Sequence, residues 1–244
     1  MVAGAQAGAS GTTAVGEAER LDAIRRRILN VVGHELRTPV TTIRGLAESL
    51  DTADAQAIRS TIAPALVRNT RRLERLLDDL LIASGITTAL PVDLPEVVAP
   101  APLARETWAR LADAVGGADL EIVSDAPDVD AVEALIPPAS LRSALERVFE
   151  NALRYGEPPF RLEITRTPDA VRLTLDTPGA ALHREEIQLA LEPFFRGEQA
   201  VMTHPGLGLG LSVAQALLDR ADGRVWVEDR PGGGLVTVLE VPAL

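Results

Sequence analysis

His34 is followed directly by Glu35, with Thr38 four residues on and Pro39 after it. That grouping suits nucleophilic chemistry, because a neutral imidazole nitrogen is a competent nucleophile near neutral pH. The adjacent carboxylate can hold one tautomer and take up the proton of the other ring nitrogen. Val32, Leu36, Val40, Ile43, Ala47 and Leu50 recur at three- and four-residue steps, the mark of one buried helical stripe. At about 100° per residue, His34 is turned roughly 200° from Val32 and Leu36 and faces solvent. Thr38 shares its side of the helix. Pro39 removes a backbone donor and should bend or loosen the helix just beyond the histidine. A plain surface histidine is the alternative, and Glu35 and Pro39 weigh against it.

A second grouping suits phosphate. Gly206, Gly208 and Gly210 alternate with leucines and run into an apolar helix at Leu211. Glycines there let backbone amides approach phosphate oxygens, and the helix N-terminus adds favourable partial charge. A loop that merely needs positive φ is the plain alternative. No Lys-Ser/Thr follows, so it is not a Walker loop, and no strand leads straight into it.

The elements that must position these residues fall into two sets. A helix is expected from about Glu17 to Leu50, a turn at Asp51–Asp54, and a second helix to about Ser84. Ile62, Leu66, Asn69, Leu73, Leu76, Leu80 and Ala83 form a heptad seam with one polar member. Two such helices alone bury too little, so a homodimeric four-helix bundle is the economical solution. Gly85 and the stretch Pro91–Pro102 break the periodicity. Beyond them, helices are expected at Pro102–Val115, Pro138–Tyr155, Glu185–Leu191 and Leu211–Ala221. Strands are expected at Leu120–Ser124, Arg161–Thr165, Val171–Leu175, Val225–Glu228 and Val236–Val241. This mixture predicts an α+β sandwich with helices on one face of a largely antiparallel sheet.

Composition narrows the function classes. The chain has no cysteine, a net charge of −11 and no run near the roughly 20 apolar residues of a membrane span. Disulfides and thiolate chemistry are excluded, and a nucleic-acid-binding surface is disfavoured. Direct membrane insertion is not expected, and a reducing, cytoplasmic setting fits. Met1–Gly16, rich in Ala, Gly and Thr, reads as a disordered lead-in.

The unbroken run from His34 to Pro39 resembles the H-box of two-component sensor histidine kinases. Four further segments resemble the family's ATP-binding boxes and follow in family order. Glu150–Tyr155 resembles the N-box, Asp176–Gly179 the G1 box, Glu192–Arg196 the F-box and Gly206–Leu211 the G2 box. The resemblance implies a histidine kinase-type transmitter core. Residues 17–86 would be the dimerisation and phosphotransfer hairpin, 87–102 the linker and entry to the next domain, and 103–244 the ATP-binding domain. His34 would accept phosphate from ATP, supported by Glu35, and Thr38 would assist dephosphorylation of the partner. Asn151 would hold Mg²⁺ on the triphosphate. Arg154 and Tyr155 would lie towards the nucleotide, and Asp176 would accept the adenine amino hydrogen bond. Gly179, Phe195, Arg196, Gly206, Gly208, Gly210 and Leu211 would complete the site. The implied partners are a response-regulator receiver domain, a second copy of the chain and a separate sensor protein. Arg147 stands where the family has a further Asn, and Pro178 and Ala180 stand at G1 glycine positions. Two rivals stand beside this reading: a weak scaffold or phosphatase acting on a response regulator, which the altered G1 loop keeps open, and an ATPase of the same superfamily, which would need a carboxylate base one turn before Asn151 where Arg147 stands.

Overall fold

A computed structural model describes residues 9–85, 94–179, 182–203 and 206–244, with side chains from 29 onward except at 199, 202 and 203. The chain divides into two compact units at Leu76/Leu77.

The first unit holds the helical hairpin up to Leu76, and the last turns of its second helix belong to the second unit. Helix α1 spans Ala9–Ser49 and so takes in part of the segment expected to lack structure; its alanines favour helix. Residues 1–8 lie outside the described residues. The chain turns after Leu50, and Asp54 caps the short α2 (Ala55–Ala57), its side chain accepting from the Ala57 amide at 2.7 Å. A single π-helical turn, Ile58–Ile62, leads into α3 (Ala63–Ala83). Pro64 has no N–H to give Ser60, and the helix passes over it with a wider turn in which Ala63 donates to Ile58. α1 runs on through Pro39 as a helix, with Pro39 itself buried.

The expected stripe on α1 is rotated in the single chain. Glu35 and Pro39 are buried, whereas Val40 is 49% exposed and Ala47 is exposed. On the inward face Glu35 Oε2 meets Arg72 Nη2 of α3 at 3.2 Å.

The second unit contains a five-stranded sheet in the order β2-β4-β5-β7-β6. The strands are β2 (Leu120–Ser124), β4 (Phe160–Arg166), β5 (Ala170–Pro178), β6 (Arg224–Asp229) and β7 (Gly234–Pro242). β2 and β4 are parallel, and the other neighbours are antiparallel. A small antiparallel pair, β1 (Glu96–Val98) with β3 (Ala134–Ile136), was not expected from the sequence. β1 lies within residues 87–102, the segment read as linker and entry to the second domain.

Helices α4 (Pro100–Asp113), α5 (Pro138–Tyr155) and α8 (Gly210–Asp219) pack on the face carrying Leu162, Ile164, Leu173, Leu175 and Leu239. Trp108 anchors this core. Its ring lies 5.1 Å from Phe149 and 5.0 Å from Phe160, and its Nε1–H donates to Ala118 O at 2.6 Å. Two short helices, α6 (Arg184–Leu189) and α7 (Glu198–Thr203), complete the unit. No helix among the described residues is long and apolar enough to cross a membrane.

Candidate functional site

In the first unit His34 projects from α1 with its side chain 76% exposed. Glu35, one residue on, is only 5% exposed, because adjacent helical positions differ by about 100°. Glu35 Oε1 lies 4.0 Å from His34 Nδ1, while Oε2 holds Arg72. The carboxylate is thus anchored beside the imidazole without hydrogen bonding to it. Thr38 is exposed, and its hydroxyl donates to the His34 carbonyl at 3.2 Å.

In the second unit a cavity of about 440 Å³ opens between α5, the ends of β5 and β7, and the loop before α8. Asn151 and Tyr155 face it from α5, and Gly208, Gly210 and Leu211 from the start of α8. Gly179, Phe195 and Arg196 close further sides. The glycines are needed where they stand. Gly208 has φ +69°, and a Cβ there would lie 2.3 Å from Phe195 O. The first amides of α8 have no acceptor within the helix, which suits an anionic group. Phe194 holds the facing segment in place, its N–H donating to Gly208 O at 2.9 Å while its own φ is +66°. Such a φ on a bulky residue is strained and persists only where surrounding contacts enforce it. Glu186 links α6 to α7 by accepting from the His183 and Glu198 amides, each at 2.9 Å. Those two bonds, His183 first, hold its carboxyl below the usual range.

Residues 137–244 match the family described as histidine kinase-, DNA gyrase B-, and HSP90-like ATPase. Residues 24–88 match the His Kinase A (phospho-acceptor) domain. The chain belongs to the histidine-kinase family. The sensor histidine kinase CpxA of Escherichia coli K12 is 29% identical over 97% of this chain and 51% of its own length. The chain therefore spans about half the length of the curated relatives it matches. Two solved structures share the fold. Full-length ShkA in complex with AMPPNP has a TM-score of 0.62 at 20% identity, covering 89% of this chain and 46% of that one. ThkA in complex with the response regulator TrrA has 0.57 at 21% identity, covering 93% and 64%.

Within this histidine-kinase core not every expected residue reaches the cavity. Arg154 stands beside Gly206, where an added Cβ would lie 3.1 Å from Arg154 Nη1, and neither lines the cavity wall. Asp176 is also absent from the wall, with both carboxylate oxygens turned to Arg230. Alternation along β5 explains this. Val171, Leu173, Leu175 and Thr177 are buried on the core face, so Asp176 must point to the other face. Thr177, 7% exposed, lines the cavity instead. The same alternation, read from Val171, was the signal available in the sequence. Leu235 and Gly234 also line the cavity. They come there through the β5–β7 register, which sets Gly234 opposite Pro178 and Leu235 opposite Thr177.

Pro178 is on the cavity wall without an N–H to offer; Ala180 lies outside the described residues. Arg147 turns away from the cavity, its Nη2 2.7 Å from Asp79 Oδ1, both residues belonging to the second unit. Glu146 is engaged by Arg110.

Proposed function

We propose that this chain is the core of an ATP-dependent protein histidine kinase that autophosphorylates His34 and passes the phosphoryl group to an aspartate of a response-regulator receiver domain. The observation that carries this reading is the cavity wall, which combines Asn151 with Gly208, Gly210 and the first turn of α8. That wall offers an amide oxygen and backbone N–H groups to a triphosphate, and Arg196 adds positive charge. The likeness to ShkA, solved with AMPPNP, and to ThkA, solved with a response regulator, supports the same reading.

The Asn151 amide fits a hydrated Mg²⁺ carried on phosphate oxygens, since that ion keeps several waters and takes few protein ligands. When bound, Mg²⁺ supplies charge neutralisation on the transferring phosphoryl group. The chain's own part is positioning. An imidazole nitrogen of His34 forms the N–P bond as the bond from the γ-phosphorus to the bridging oxygen breaks and ADP leaves. Glu35, held by Arg72, stands beside Nδ1 to take up the proton. The phosphoryl group then moves from His34 to the partner's carboxylate, which restores the imidazole. ATP and a receiver domain as substrates imply a cytoplasmic site of action, and a homodimer through the hairpin completes the assembly.

Incubation with γ-labelled ATP and Mg²⁺ should leave acid-labile, base-stable label on the protein, and His34→Gln should abolish it while sparing nucleotide binding. Stable label remaining on the variant would remove His34 from the reaction. Pro178 and Thr177 on the cavity wall favour one second reading, a scaffold or phosphatase that engages the regulator through the hairpin. Absence of label, with accelerated decay of the phosphorylated regulator, would select it.

A further inference from the structure

The strand-end side of the cavity carries unusual chemistry for base recognition. Its deep polar side chain is Thr177, whose methyl faces Gly156: a Cβ added to Gly156 would lie 2.3 Å from Thr177 Cγ2. The hydroxyl is left at the wall and, among the described residues, makes no hydrogen bond. Opposite it in register, Leu235 offers no polar group at all. Asp176, the carboxylate next in the chain, is held on the other face of the sheet by Arg230.

From this we infer that Thr177 sets the base selectivity of the site, which takes 6-amino and 6-oxo purine nucleoside triphosphates with similar affinity. The inference rests on the nucleotide reading above and names its substrate class. A carboxylate only accepts hydrogen bonds, so it favours the amino group of adenine and repels the carbonyl of guanine. A hydroxyl rotates to donate or accept and meets either group. The cavity's single described carboxylate, Glu157, is exposed at the wall, where solvent weakens its discrimination.

Calorimetric titration of the whole chain with ATP and with GTP, each with Mg²⁺, tests this. Affinities for the two should agree within about threefold, and Thr177→Asp should open a preference for ATP of at least about tenfold. Thr177→Val keeps the shape of the side chain and guards against misfolding of the charged variant. It should weaken both nucleotides by a similar factor. A preference for ATP above tenfold in the parent overturns the inference, assigns selection to Glu157 and leaves the nucleotide reading intact. So does a changed ratio in Asp176→Asn, which would return selection to Asp176. Binding of neither nucleotide to any form overturns the nucleotide reading and this inference together.

Discussion

In the proposed reaction Thr38 would serve two partners from one helical turn. Its hydroxyl bonds the His34 carbonyl at 3.2 Å, yet the residue is exposed, so the same oxygen is open to a docked protein. If His34 accepts phosphate as proposed, a hydroxyl one turn away can orient a water towards a phospho-aspartate seated there. Thr38→Ala should slow phospho-regulator decay by at least about tenfold while leaving His34 labelling unchanged. Equal decay with parent and variant would reduce Thr38 to a surface residue. Glu35 is a different case, since its burial against Arg72 serves the hairpin as well as the imidazole.

At the scale of elements the glycine loop and the segment Phe194–Arg196 form one device. Gly208 O accepts from Phe194, and Gly208 has no room for a side chain against Phe195 O. Gly208→Ala combines that clash with an unfavourable φ of +69°. The two segments must then separate, at a cost of about 1–3 kcal/mol. Nucleotide affinity should fall about tenfold or more in calorimetric titration, with the far-ultraviolet circular dichroism of the sheet and helices retained. Unchanged affinity would show that the loop does not need this path.

The whole molecule carries apolar surface that its own fold leaves uncovered. Leu66, Leu73, Leu76 and Leu80 of the heptad seam are only half-buried, and Val40 and Val67 on the hairpin are 49% and 48% exposed. A second hairpin laid against these residues would cover them, as the homodimer reading requires. Light scattering at micromolar concentration should report twice the 25.9 kDa chain mass. Val67→Arg, which places a charge in that surface, should return the chain to its single mass. A monomeric parent protein would exclude dimerisation through the hairpin.

The local elements and the residue groupings were legible along the chain. Strand β2 at Leu120–Ser124 and helix α5 at Pro138–Tyr155 stand where pattern and prolines put them, because periodicity and capping are local properties. The run from His34 to Pro39 and the glycine loop could likewise be read off the chain, since each is contiguous. Which segments meet depends on packing between parts of the chain far apart in sequence. β1 and β3 are too short to announce themselves and exist through pairing with each other. The burial of Glu35 on α1 involves Arg72, which belongs to another helix. The choice between Asp176 and Thr177 at the cavity turned on which face of β5 meets the core. Neighbouring strands fix that face, and a shift of a single residue in register would have exchanged the two side chains.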